Sequence, residues 1–255
     1  DEQTSKRLEA AYNAPEIVRR RALARAALGA QPGDRVLDLG CGPGFYVTEL
    51  LDEVGPKGSV VGVDMSADML AIARHRASGC SNAEFFEAEA TTLPFDGGQF
   101  DAAISVQVFE YVKDTVAGLA EVHRVLKPGG RIVVWDSDWD SVAWHSEDPG
   151  RMAAVLSAWS DHLVHAGLPR TLGASVRKAG FDKVQMQAYS FASTDLSPDG
   201  FVGALFPLVE AFVRNHPAVS TETVDGWVAE QHALSESGAF FFALTQCCFS
   251  ALKPY

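Results

Sequence analysis

The run Asp38-Leu39-Gly40-Cys41-Gly42-Pro43-Gly44 sets a carboxylate two residues ahead of three alternating glycines. Glycines in a turn between strand and helix let the backbone approach a ligand closely and open the start of the helix to it. The spacing separates ligand classes. A dinucleotide-binding turn needs G-x-G-x-x-G, yet its last glycine would fall at Phe45 counted from Gly40, or at Val47 counted from Gly42. A carboxylate at position 38 would repel a pyrophosphate and suits a ligand that carries an ammonium group. Twenty residues beyond Gly44, Asp64 closes a second apolar run. An acid at that point can accept from both hydroxyls of a ribose. Its other use, as a helix cap, falls better to Ser66.

Such residues need a frame. The runs 35–39, 59–64, 84–88, 100–106 and 131–136 are short, apolar and nearly continuous, and read as buried strands. Between them lie helical stretches at 46–54, 67–77 and 116–125, with turns at Gln31-Pro32-Gly33-Asp34 and Lys127-Pro128-Gly129-Gly130. Apolar strands alternating with helices specify a parallel sheet covered on both faces, the doubly wound α/β class. A helical stretch over about 5–28, interrupted near Asn13-Ala14-Pro15, precedes this core. After it come helices near 151–165 and 171–179 and a strand near 182–189. Two helical pieces within 196–237 are split by Asn215-His216-Pro217, and an apolar strand over 240–249 follows.

The charge balance narrows the partners. Lys and Arg number 21 against 33 Asp and Glu, a net charge of −12, which disfavours a polyanion as main partner because phosphate binding relies on basic side chains. No apolar run is long enough to span a bilayer, so no membrane association is expected. The four cysteines form no C-x-x-C pair, and neither a zinc ribbon nor a disulfide framework is implied. His162 and His165 have a metal-like spacing without a third ligand in view, so no metal is expected. The chain opens at Asp1 with no signal-peptide pattern, and a reducing cytoplasmic location is the expectation.

Three further segments continue the pattern in order: Glu89-Ala90-Thr91-Thr92-Leu93-Pro94-Phe95 with Phe100-Asp101, then Gln107-Val108-Phe109-Glu110-Tyr111-Val112, then Arg124-Val125-Leu126-Lys127-Pro128-Gly129-Gly130-Arg131. Together with the glycine turn and Asp64, the chain resembles the class I S-adenosylmethionine-dependent methyltransferases, in particular the small-molecule, ubiquinone- and menaquinone-biosynthesis-like branch. The resemblance covers about 30–136. It implies a Rossmann-like seven-stranded sheet, mostly parallel with an antiparallel last strand, in a single domain over 1–255. Residues 30–136 would be its cofactor-binding core, 1–29 a helical N-terminal cover, and 137–168 and 195–239 insertions around the acceptor.

The resemblance also implies roles. S-adenosyl-L-methionine would be the cofactor and S-adenosyl-L-homocysteine the product. Gly40, Cys41 and Gly42 would line its methionine part, with Asp38 near the amino group. Asp64 would hold the ribose, Met65 would pack on the adenine, and Glu89 with the Ala90 N–H would read the adenine edge. The family usually has Asp where Glu89 stands. Gln107 would offer backbone to the methionine ammonium. Tyr12 and Arg21 would close over the cofactor carboxylate, although Arg19-Arg20-Arg21 reads equally as a solvated helix face.

Methyl transfer from a sulfonium is an in-line displacement, so the protein must align the acceptor and exclude water, adding a base only where the acceptor is a hydroxyl or a carbon acid. The residues after the fourth and fifth strands are the candidates: Phe109, Tyr111, Trp139 and Trp144 as acceptor contacts, and Asp138 and His145 as bases. Each has a plainer use as core, cap or surface residue. Seven acids and one base between 195 and 239 read either as solvated helix faces or as a preference for a cationic or neutral acceptor. The expected function is methyl transfer to a small-molecule acceptor. The alternatives are a macromolecule methyltransferase, and a cofactor-binding protein or fold relative that uses the cofactor for non-methyl chemistry. Oligomeric state is left open by the sequence.

Overall fold

The computed structural model describes residues 12–255. The part of the expected N-terminal helical stretch before Tyr12 lies outside the described residues. The elements follow in the order α1 (Pro15–Leu28), β1 (Arg35–Leu39), α2 (Phe45–Val54), β2 (Ser59–Asp64), α3 (Ala67–Arg76), β3 (Ala83–Glu87), β4 (Phe100–Val106), α4 (Thr115–Val125) and β5 (Leu126–Trp144). Then come α5 (Pro149–Ser160), α6 (Pro169–Lys178), β6 (Asp182–Ser193), α7 (Phe201–Arg214), α8 (Thr221–Ser237) and β7 (Phe242–Leu252). The seven strands form one sheet in the order β3-β2-β1-β4-β5-β7-β6, mostly parallel with antiparallel last strands.

The strand order reverses between β1 and β4, which are parallel neighbours in register Asp38↔Ile104 and Leu39↔Ser105. In doubly wound sheets the crevice outside the carboxyl ends of the strands at this switch point takes the ligand. The glycine turn follows β1 there, and Gln107 follows β4.

β5 departs from the sequence reading. Leu126 pairs with Phe100 and Arg131 with Ala102, so Lys127-Pro128-Gly129-Gly130 bulges out of a strand that has already begun. Pro128 has no N–H to give a ladder, and Gly129 takes a φ of 76°. Gly129 N–H then donates to the Lys253 carbonyl, and Lys253 N–H donates to that of Gly130. At its far end β5 runs on to Trp144, where the sequence suggested a loop.

The chain clusters into two compact units. The larger comprises Ala22–Ser137, Gly167–Ala188 and Gln246–Tyr255. Its core joins Leu37, Val61, Ala103 and Ile132 of the strands to Leu119, Leu172 and Phe249. Arg131 fastens the entry to its sheet, donating to the Leu28 carbonyl at 2.6 Å and the Gly29 carbonyl at 2.9 Å and pairing with Asp34. The smaller unit holds the described N-terminal residues through Arg21, Asp138–Ala166 and Tyr189–Thr245. Its core gathers Trp144, Val155, Val209, Trp227, Phe240 and Phe242. The Trp144 ring meets those of Trp227 and Phe242 edge-on at 5.4 and 5.0 Å, an arrangement favoured by the ring quadrupoles.

Gln231 completes this second core. Fully buried, it accepts the Trp144 indole N–H at 2.9 Å and donates to the His145 carbonyl at 3.1 Å. Replacing Gln231 by Leu leaves the buried Trp144 N–H unsatisfied and takes away the donor to the His145 carbonyl, and we expect a loss of about 1–3 kcal/mol in the unfolding free energy. Denaturant titration followed by Trp fluorescence measures it, and an unchanged midpoint would show that water replaces the amide.

Candidate functional site

The glycine turn is closed upon itself. The Val63 carbonyl at the end of β2 accepts from Gly40 N–H at 2.7 Å and from Cys41 N–H at 2.9 Å. Asp64 Oδ2 accepts from Gly42 N–H at 2.8 Å, and the Cys41 carbonyl accepts from Gly44 N–H at 3.0 Å. Pro43 has no N–H. Every N–H from Gly40 to Gly44 is therefore already given to a protein acceptor, whereas a phosphate-binding turn must keep such donors for its ligand. The turn offers close approach instead. At Gly40, whose φ is 72°, a Cβ would lie 2.2 Å from Val108 Cγ2, so only glycine lets β1 and the residue after β4 come together.

Asp64 has a structural duty besides any ligand. Its second oxygen, Oδ1, accepts from Ser66 N–H at 2.9 Å, and Ser66 in turn caps α3 by accepting from Met69 N–H. The carboxylate thus ties the glycine turn to the start of α3, and each oxygen keeps a further lone pair for a ligand.

Asp38 is the anomaly. It is buried, and its Oδ2 has no hydrogen-bond partner among the described residues. Burial, with the Asp64 charge nearby, pushes its carboxyl up to about 8. An isolated buried carboxylate is costly, and a group in that position protonates or meets a cation. The neighbouring Cys41 thiol, also buried, is held far above its ordinary range by burial first and then by Asp38 and Asp64. It is a neutral packing group and no nucleophile.

The other residues expected around the cofactor belong to the same unit. Met65 is 75 % exposed beside Asp64, ready to be covered. Glu89 is exposed and Ala90 half-buried beyond β3. Gln107 has a left-handed backbone with a φ of 57°, and its N–H donates to the Trp135 carbonyl at 2.8 Å. Of the two acceptor candidates after β4, Tyr111 is 48 % exposed while Phe109 is wholly buried in the core beside Leu119 and Val122. Packing accounts for Phe109.

The remaining candidates lie in the smaller unit. Arg20 and Arg21 are buried, so the Arg19-Arg20-Arg21 run is not a solvated face. Arg21 Nη1 donates to the Tyr12 carbonyl, which links the two residues expected to act together. Trp144 is a core side chain, and this packing, not an open pocket, occupies its ring. Trp139 is half-buried against Trp159 and His162. Burial lowers the His162 pKa, and its Nδ1 meets the Trp159 carbonyl. Asp138 is half-buried and His145 exposed, its backbone N–H donating to the Phe241 carbonyl. Several of the acids between 195 and 239 have local duties: Glu210 and Asp225 pair with Arg214, and Glu230 accepts from Ser146, Glu147 N–H and Arg151.

Sequence reasoning missed Glu110, Ser137 and Gln246, all buried and polar, which surround Gln107. The available signal was Gln246 itself, a lone amide in the apolar run Phe240–Phe249.

Residues 30–180 match the family described as methyltransferase domain. An uncharacterized 37.1 kDa protein in transposon TN4556 of Streptomyces fradiae is 38% identical over 156 residues, 61% of this chain and 45% of that protein. Demethylmenaquinone methyltransferase of Lactococcus lactis subsp. lactis is 39% identical over 115 residues, 44% of this chain and 46% of that one. The chain spans slightly under half the length of these curated relatives. The fold is shared with phosphoethanolamine N-methyltransferase 2 of Haemonchus contortus, solved in complex with S-adenosyl-L-methionine, at a TM-score of 0.60 and 21% identity over 93% of this chain and 53% of that one.

The Asp38 carboxyl gives a stability test that needs no ligand. Its folded pKa of about 8 lies above the ordinary 3.8, so its contribution to stability is whole below about pH 4 and is lost as pH rises toward 8. Asn at position 38 cannot ionise. Urea unfolding of wild type and Asp38→Asn should therefore diverge in the variant's favour from pH 4 to 8 and run parallel above. A constant difference across that window would mean that Asp38 is already ionised in the unliganded fold.

Proposed function

The chain belongs to the methyltransferase domain family, and from that premise we propose that it transfers the methyl group of S-adenosyl-L-methionine to a small-molecule acceptor. The observation that carries the cofactor is Asp38, a buried carboxyl with an unpartnered oxygen beside a turn whose N–H groups are all spent. That combination suits a ligand with a cationic amino-acid end and not a pyrophosphate. When bound, the cofactor supplies an activated methyl on a sulfonium sulfur and leaves as S-adenosylhomocysteine.

The chain's residues bind and orient. Asp38 would meet the ammonium, and Asp64 would accept from the ribose hydroxyls with the lone pairs that Gly42 and Ser66 leave. Met65 would cover the adenine, with Glu89 and Ala90 at its edge. Gly40 and Cys41 would line the methionine part by close approach and carbonyl oxygen, and Gln107 would present its backbone after β4. Tyr12 and Arg21 are our candidates for the cofactor carboxylate. Tyr111, exposed after β4, and Trp139 are candidates for acceptor contact. Where the acceptor is a hydroxyl or a carbon acid, Asp138 or His145 would take its proton. The demethylmenaquinone methyltransferases among the relatives support a small-molecule acceptor.

Calorimetric titration with S-adenosylmethionine tests the cofactor, and transfer of isotope from the labelled methyl into a panel of small acceptors tests the reaction. Asp64→Ala should weaken cofactor binding by about ten- to a hundredfold, the worth of a charge-assisted hydrogen bond. An unchanged affinity there, or no binding by wild type, refutes the cofactor. Binding without transfer to any acceptor favours a binding protein over an enzyme. At pH 7 binding should also release a proton from Asp38, read as a buffer-dependent heat. Asp38→Asn should abolish that dependence.

A further inference from the structure

Gln107 is gripped by a chain of buried side chains whose direction is fixed by chemistry. The Trp135 indole N–H can only donate, and it donates to Gln246 Oε1 at 2.8 Å. The Gln246 amide must therefore turn its nitrogen the other way, where Nε2 donates to Gln107 Oε1 at 2.9 Å and to Ser137 Oγ at 2.8 Å. Ser137 gives its one proton to the same Gln107 oxygen at 2.9 Å. The Gln107 amide is now fixed as well, and its Nε2 donates to Glu110 Oε1 at 2.9 Å. All donors point from Trp135 toward Glu110. No amide can be inverted without setting oxygen against oxygen. Trp135, Ser137, Gln246 and Glu110 are at most 1 % exposed, and such a network stays rigid while every member is satisfied.

The residue it converges on is the one with an unusual backbone. A φ of 57° is uncommon for a residue with a Cβ, and persists where the surroundings over-determine it. The main chain is pinned on both sides, Gln107 N–H by the Trp135 carbonyl and Val108 N–H by Asp136 Oδ1 at 3.1 Å. The side-chain network pins the remaining degree of freedom. Gln246, from β7, lies outside the residues that match the family.

We propose that Gln246 is a positioning residue of the cofactor site. Through Gln107 and Ser137 it holds the left-handed turn after β4 in the form that presents backbone to the amino-acid end of the cofactor. This rests on the cofactor reading above. The role concerns one end of the ligand only, and that gives the test its discrimination.

Full-length wild type, Gln246→Leu and Gln246→Glu are titrated with S-adenosylhomocysteine and with 5′-methylthioadenosine, which keeps the adenosine and sulfur but lacks the amino-acid part. Glu at 246 still accepts from Trp135 but turns an oxygen toward Gln107 Oε1. Both variants should bind S-adenosylhomocysteine roughly three- to tenfold more weakly, the worth of a net hydrogen bond or two, and methylthioadenosine as wild type does. An equal loss for both ligands, or no loss, overturns the proposal and leaves the cofactor reading intact. Failure of wild type to bind S-adenosylhomocysteine overturns both. Should Gln246→Leu fold poorly, Gln107→Gly supplies a residue that takes a φ of 57° unaided. In that background Gln246→Glu, which keeps the Trp135 acceptor, should cost no further affinity for S-adenosylhomocysteine, and an equal cost in both backgrounds overturns the proposal.

Discussion

The structure of the site depends on where the Asp64 carboxylate spends its two oxygens. One holds Gly42 and the other holds Ser66, so a single side chain at the end of β2 sets both the path of the glycine turn and the start of α3. The Val63 carbonyl completes the closure by accepting from Gly40 and Cys41. With its donors consumed, the turn has a built-in electrostatic preference. It repels anions through Asp64 and has no free N–H between Gly40 and Gly44 to offset that.

Burial of Asp38 turns this preference into a dependence on the ligand. A carboxyl with an unpartnered oxygen in a buried position is tolerated while it stays protonated, and the cost of ionising it is offset when a cation arrives. The same logic, with the opposite outcome, governs the far side of the site. There Glu110, Gln107, Ser137, Gln246 and Trp135 hydrogen-bond to one another, and the turn after β4 is held by the protein itself.

Much of this was legible in the sequence, for reasons that differ by residue. The strands 35–39, 59–64 and 100–106 are found as expected, because a strand buried on both faces must be apolar throughout and the flanking turns carry glycine or proline. The glycine pattern marked the turn after β1 because a left-handed backbone and close approach at Gly40 favour a residue without a Cβ. β5 was misjudged at both ends. Pro128 and Gly129 look like a terminator, yet the ladder resumes past the bulge at Arg131, and polar residues such as Asp138 and Asp140 disguise the continuation to Trp144. Trp144 and Phe109 were legible as aromatic, with core and acceptor wall both open, since composition says that a ring will be buried without saying against what. The Gln107 network was hidden for a simpler reason. Gln246 is separated from Gln107 by nearly the whole of the chain after β4, and no local pattern pairs two glutamines.

The division into two units has a consequence for how such a protein can change. The chain passes between them after Arg21, Ser137, Ala166, Ala188 and Thr245, so neither unit is encoded by one uninterrupted stretch of gene. A recombination event with two breakpoints cannot exchange either unit as a cassette. New properties in the smaller unit come by substitution or by exchange of one of its segments at a time, while β5, β6 and β7, each of which contributes residues to both units, restrict what those changes can be.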